Sequence, residues 1–208
     1  MWCKKYNAIA LFCLLLAVTS GCTKQTSHFY QDPAKPGTAI FSNTSNNVFS
    51  CLIGDSSWRT ITRVVGGGLF TRPVYEVFIE KHTTNGAADT LSITWLGDPA
   101  SFRGNYSTIS LGLPVAKSFR ITDLAAMQGK RLLIDGSNGF FQVNLNGQAS
   151  GNTSATGSIY FNRLSFQPAG INSYTGYMAG LLEADAGSFK ILSGRFDHFM
   201  NPDQVIFY

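Results

Sequence analysis

No hydrophobic run in this 208-residue chain is long enough to cross a bilayer. The longest apolar segment, Ala8 to Val18, holds eleven residues, whereas a spanning helix needs about 20 at 1.5 Å of rise each. Cysteine is scarce as well: Cys3, Cys13, Cys22 and Cys51 are all there are. Charge is sparse and nearly balanced, 16 basic against 12 acidic residues. Lys and Arg nowhere gather into a stripe interleaved with aromatics, so nucleic acid is not expected as a partner, and a basic cluster for anionic headgroups is missing too. The three histidines, His28, His82 and His198, are isolated in the sequence. With neither His-Glu-x-x-His nor Cys-x-x-Cys present, no metal and no other cofactor is expected.

What is there begins with Met-Trp-Cys-Lys-Lys, the short apolar run and then Ser20-Gly21-Cys22. A basic start, a short greasy centre and small residues at the cut describe a secretory signal, residues 1–21, removed on export. The stretch LFCLLLAVTSGCTKQ, Leu11 to Gln25, resembles the lipobox of bacterial lipoproteins, departing from it at Thr19, where the family usually carries Leu. The resemblance implies that Cys22 becomes the first mature residue and carries fatty acids, palmitate among them, so that a membrane is the expected partner. Each buried CH₂ is worth about 0.8 kcal/mol, so two or more chains hold a protein stably where one holds it marginally. Thr23 rather than Asp follows the cysteine, and no acidic cluster comes after it. By the sorting rules of such lipoproteins, that implies the outer membrane and its periplasmic side.

Removing the signal leaves 14 basic and 12 acidic residues and, with Cys22 acylated, a single thiol, Cys51. One thiol makes no intrachain disulfide, so an exported domain has to stand on its core alone. Cys51 lies in VFSCLI with no histidine nearby and reads as a small buried strand residue.

Residues 22–47 form the expected lipidated cysteine and flexible tether, polar and proline-containing, of about 25–30 Å root-mean-square span. Thr38 to Phe41 is apolar enough to dock as an edge strand. Residues 48–208 have the length of one domain. Leu91, Ile93 and Trp95 alternate with Thr90, Ser92 and Thr94, the period of a strand with one wet face. Asn85-Gly86 before them and VYEVFIEK, Val74 to Lys81, complete a hairpin. Ser107 to Leu113, Phe141 to Leu145 before Asn146-Gly147, Ile159 with Phe161, and Met178 to Ala184 alternate in the same way. ITDLAAMQGK alone reads as helix, one or two turns capped by Thr122 and stopped by Gly129. The fold class is all-β: an antiparallel β-sandwich or flattened barrel with one short helix.

VFSCLIGDSSW (Val48 to Trp58), GYMAGLLEAD and SGRFDHF (Ser193 to Phe199) resemble strand motifs of an uncharacterised group of Gram-negative lipoproteins, departing from it at Gly54-Asp55, where Asn-Gly is typical. This resemblance implies an all-β lipoprotein domain with no assigned activity. In SGRFDHF, Arg195 and Asp197 share a face and read as an exposed ion pair, of little energetic weight. Leu192 is placed on the opposite face with Phe196 and His198.

Candidate chemistry is thin. Gly54-Asp55-Ser56 matches the opening of a family of serine esterases, but the late partner is an adjacent Asp197-His198 and no helix follows Ser56, so the base a serine needs is not placed. Gly66-Gly67-Gly68 precedes no helix and reads as a turn. Glu76 with Glu80, and Glu183 with Asp185, are same-face strand neighbours, whereas glycoside hydrolysis needs two carboxyls about 5–9 Å apart facing one cleft. Tyr106, Tyr160, Tyr174 and Tyr177 are the first candidates for an exposed aromatic platform. The expected function is an envelope lipoprotein presenting a non-catalytic β-domain for binding, with a glycan or protein as ligand, or for structure. The alternative is a lipid-anchored hydrolase of glycans or lipids.

Overall fold

The computed structural model describes residues 29–42, 44–60, 63–65, 72–74, 77–98, 107–145, 148–150, 155–185, 187 and 189–207. Cys22, Glu76, Tyr106, His28, Gly66 to Gly68 and the Asn146-Gly147 turn lie outside them.

Two six-stranded sheets face each other without closing into a barrel, so of the two expected architectures the molecule is the sandwich. The first sheet is ordered β2-β1-β13-β12-β11-β8. It comprises β1 (Val48–Ile53), β2 (Ser56–Arg59), β8 (Arg131–Ile134), β11 (Thr156–Gly170), β12 (Ser173–Asp185) and β13 (Lys190–Met200). The second, β10-β9-β7-β6-β5-β14, comprises β5 (Val77–His82), β6 (Asp89–Leu96), β7 (Ser107–Val115), β9 (Phe140–Leu145), β10 (Gln148–Ser150) and β14 (Val205–Ile206). Short strands β3 (Arg63–Val65) and β4 (Arg72–Val74) pair with each other. Pairing is antiparallel except where β14 joins β5 in parallel, bringing the chain's end to the edge of the second sheet.

Alternation decides which side chains meet between the sheets. Leu91, Ile93 and Trp95 on β6, with Ile109 and Leu111 on β7, are fully buried, while the Thr and Ser residues between them are half-buried on the outer face. From the first sheet come Phe49, Phe161, Met178 and Phe196. Phe49 sits 4.9 Å from Trp95 and 5.3 Å from Trp58, and Phe196 lies 5.6 Å from Trp95 and 6.0 Å from Phe161, so one aromatic cluster ties the two sheets together. Offset and edge-on ring pairs add about 0.5–1.5 kcal/mol each beyond their area. Cys51 is buried beside them, and burial pushes its thiol well above the ordinary range, which keeps it an inert packing group.

Local signals held at some places and failed at others. Gly54-Asp55 joins β1 to β2 with φ +59° at Gly54, and Gly129 stops its segment at φ +75°. The segment itself, Ile121–Met127, is 3-10 rather than α. Its start is held by Asp123, whose carboxylate accepts the Arg120 amide at 2.8 Å, and not by Thr122. Asn85 and Gly86 keep negative φ. Their loop is closed instead by Asp89 accepting the Thr84 amide at 3.2 Å, and by the Thr84 hydroxyl donating to the Ala88 carbonyl. Ser193 adopts φ +54° at a bulge where β12 and β13 lose step. The extra residue turns Leu192 out to solvent, 48% exposed, away from the core face that a plain alternation assigned to it.

The described part of the expected tether, from residue 29 onward, is folded. Gln31 bridges Ala39, and Thr38 and Ala39 are buried, while Ile40 and Phe41 stay exposed, so the segment packs as a strap over the first sheet and not as an edge strand.

Candidate functional site

The strap lies across the outer side of β1, β2 and β13, the open face of the first sheet. The Ala39 amide donates to Ser50 Oγ at 2.6 Å, Ser57 Oγ donates to the Gly37 carbonyl, and Lys35 Nζ reaches Ser193 Oγ at 3.0 Å. Arg195 and Asp197, expected to pair with each other, are each engaged by the strap instead. Arg195 forms an ion pair with Asp32 and donates to the Ala39 carbonyl at 2.9 Å. That guanidinium, together with the Ala34 amide, holds the Asp32 carboxyl below the usual carboxylate range.

Asp197, 5% exposed, is surrounded by donors. It accepts Ser42 Oγ at 2.7 Å and the amides of Thr44, Ser45 and Asn46 at 2.9–3.1 Å. Successive amides turned onto one anion form a concave nest, and Ser45 at φ +68° and Asn47 at φ +53° supply the left-handed backbone it needs. Such residues carry about 1–3 kcal/mol of strain each, which the charge-assisted bonds to Asp197 offset.

Next to the strap the outer face of the first sheet holds a groove of about 390 Å³ lined by Leu133, Ser158, Glu183, Asp185, Lys190 and Leu192. Glu183 and Asp185 do share it. The Gly187 amide and then Lys190, 3.2 Å away, hold the Asp185 carboxyl below its ordinary range, so it stays ionised. Glu183 is exposed at the sheet surface. This is not the apolar pocket that would ready one acid of a pair for proton donation. Glu80 lies on the other sheet, 3.5 Å from His82, in the open.

The esterase constellation does not assemble. Ser56 pairs with Ile53 at one end of β1, and Asp197 pairs with Val48 at the other, on the opposite side of that strand, which at about 3.3 Å per residue separates them by about 16 Å along the strand direction alone. His198 points into the core, 2% exposed, with Nε2 unpartnered, and burial lowers its pKa to about 3. Among the described residues no three His, Cys, Asp or Glu side chains gather as a metal site.

Nor do the described candidate tyrosines, Tyr160, Tyr174 and Tyr177, form an open platform. Arg163 lies 4.0 Å over the Tyr177 ring, whose edge meets Phe199 at 5.0 Å. Arg131 stands 6.0 Å from Tyr160, and Tyr174 packs against the core. On the second sheet, the Phe140 ring lies along the sheet face. It covers Gly112, where any Cβ would come within 2.1 Å of it, beside Thr90, Pro114 and Ser137 in a hollow of about 180 Å³. The sequence alone does not single out Phe140, and its register with Gly112 could not be read from either residue alone.

One charged pair is buried outside these surfaces. Lys81 and Asp89 meet at 3.2 Å, with Lys81 Nζ also donating to the Lys117 carbonyl at 2.6 Å. The Thr84 amide, then Lys81, holds the Asp89 carboxyl low. Lys81 near the end of β5 and Asp89 at the start of β6 hold the Thr84 amide and the Lys117 carbonyl, so the pair ties down the loops after β5 and β7.

No family model, no curated protein and no solved structure matches this chain.

Proposed function

We propose that the protein is a lipoprotein of the bacterial cell envelope. In this reading residues 1–21 export the chain and are removed, Cys22 is acylated, and the disulfide-free sandwich is held at the outer membrane, facing the periplasm, for binding or a structural role rather than catalysis. The observation that carries this reading is the sequence LFCLLLAVTSGCTKQ, in which a run too short to span ends on a cysteine at the cut. The strap supports it, because the chain is bound to the domain by residue 29, seven positions after Cys22 in the sequence. The separation of Ser56 from Asp197, the burial of His198 and the ionised Asp185 in its groove support the non-catalytic reading over the alternative, a lipid-anchored hydrolase. No helix of the described residues is long and apolar enough to cross a membrane.

The test is the mass of the mature N-terminal peptide, together with flotation of the protein with membranes. Acylated Cys22 at the N-terminus, and loss of both acylation and flotation in Cys22→Ser, are expected. An unmodified Cys22, or flotation unchanged in the variant, overturns the anchor.

A further inference from the structure

Of the large apolar side chains exposed among the described residues, Tyr30 (58%), Ile40 (46%) and Phe41 (39%) come from the strap. The strap's own backbone brings Tyr30 and Ile40 opposite each other, and Phe41 follows in the chain. The Ile40 amide donates to the Tyr30 carbonyl at 2.7 Å, next to the Gln31–Ala39 bridge, so Tyr30 stands opposite Ile40 with Phe41 one residue on. Arg195 bonds both Asp32 and the Ala39 carbonyl at the foot of this small ladder, so the three side chains are presented from a pinned backbone. The core does not use them, although Thr38 and Ala39, just before Ile40 in the second arm, are almost wholly buried.

We propose that Tyr30, Ile40 and Phe41 form a membrane-contact surface that seats the sandwich on the lipid bilayer. This rests on the acylation of Cys22 proposed above. Chain length gives the reason. Only residues 23–28 separate Cys22 from Phe29, and an extended chain advances at most about 3.6 Å per residue, so Phe29 stands within about 25 Å of the acylated sulfur. A patch so tethered is confined near the bilayer surface, where local concentration favours even a weak contact. Its composition fits that zone: tyrosine places its ring at the headgroup level with the hydroxyl in water, and the neighbouring aliphatic and phenyl groups enter the acyl boundary. The domain is then held with the outer side of its first sheet toward the lipid and the open face of the second sheet, with Phe140 on Gly112, turned away from it.

The experiment places an environment-sensitive, thiol-linked fluorophore at Ile40→Cys and, as control, at Ala87→Cys in the exposed loop between β5 and β6. Both are made in the full chain with Cys3 and Cys13 replaced by Ser, with Cys22 intact and again with Cys22→Ser, Cys51 being too buried to label. The proteins are mixed with vesicles of phosphatidylethanolamine and phosphatidylglycerol carrying brominated acyl chains. Blue-shifted emission and quenching at position 40, with neither at position 87, are the expected result. Equal emission at the two positions in both backgrounds overturns the contact surface. A chain that floats with the vesicles while position 40 stays unquenched sinks the surface and leaves the anchor standing. Quenching at position 40 without acylation of Cys22 sinks the anchor and leaves the surface standing.

Discussion

Arg195 and Asp197 sit two residues apart on the outer face of β13 and serve opposite ends of the strap. Arg195 binds Asp32 and the Ala39 carbonyl, while Asp197 gathers the amides of Thr44, Ser45 and Asn46. The fold thus uses one strand to pin the segment that precedes β1.

Replacing Asp197 by Ala leaves those amides without their acceptor and removes what offsets the left-handed Ser45 and Asn47. A loss of about 2–3 kcal/mol is expected in urea denaturation, with protease cleavage within residues 29–47 preceding cleavage of the sandwich. Arg195→Ala breaks a shallower contact and is expected to cost less. Equal stability of Asp197→Ala and the parent protein would show that the nest does not hold the strap.

Acid stability is expected to depend on His198. Its folded pKa, lowered to about 3 by burial, lies below the ordinary value of about 6.5. The unfolded chain therefore takes up a proton that the folded chain refuses. Stability is full above pH ~6.5 and falls as pH drops toward 3, by up to about 1.4 kcal/mol per pH unit. The depressed carboxyls of Asp32 and Asp89 act in the same direction but only in more acid solution, below about pH 4. Denaturation midpoints measured from pH 7 to 4.5 should slope in the parent and flatten in His198→Leu. An unchanged slope in the variant would assign the effect elsewhere.

Two glycines separate steric from conformational need. A Cβ on Gly180 would stand 2.0 Å from the Tyr160 carbonyl oxygen and 2.6 Å from the Phe196 ring, so Gly180→Ala forces β11 or the aromatic cluster to move and is expected to cost about 3 kcal/mol. Gly129 has open space but φ +75°, and Gly129→Ala should cost about 1–2 kcal/mol. Thermal or urea unfolding of the two variants checks the order. A milder effect at Gly180 would mean that the sheet yields where the packing says it cannot.

Strand identity was legible because it is local. Period-two alternation in Leu91 to Trp95 or Met178 to Ala184 needs only neighbouring letters to show which side chains share a face, and the left-handed stops at Gly54 and Gly129 follow from the absence of a Cβ. The errors arose where one residue changed the phase or a competing bond took over. At Ser193 a bulge moved Leu192 to the other face, and at Ile121 the carboxylate of Asp123, rather than the hydroxyl of Thr122, met the first amide.

The candidate surfaces were much less readable, and the reason is distance along the chain. Alternation placed Arg195 and Asp197 on one face, but it carries no information about which donors come to cover that face. Ser45 is 152 residues from Asp197, and Asp32 is 163 from Arg195. A polar, proline-bearing stretch reads as a leash by composition; it becomes a strap because sheet pairing delivers a buried carboxylate and a guanidinium to its backbone. Periodicity and turn chemistry are properties of adjoining residues and so belong to the one-dimensional chain. The partner of a buried charge, and the exposure of Tyr30, Ile40 and Phe41, exist only once the long-range pairing of β1 with β13 has closed.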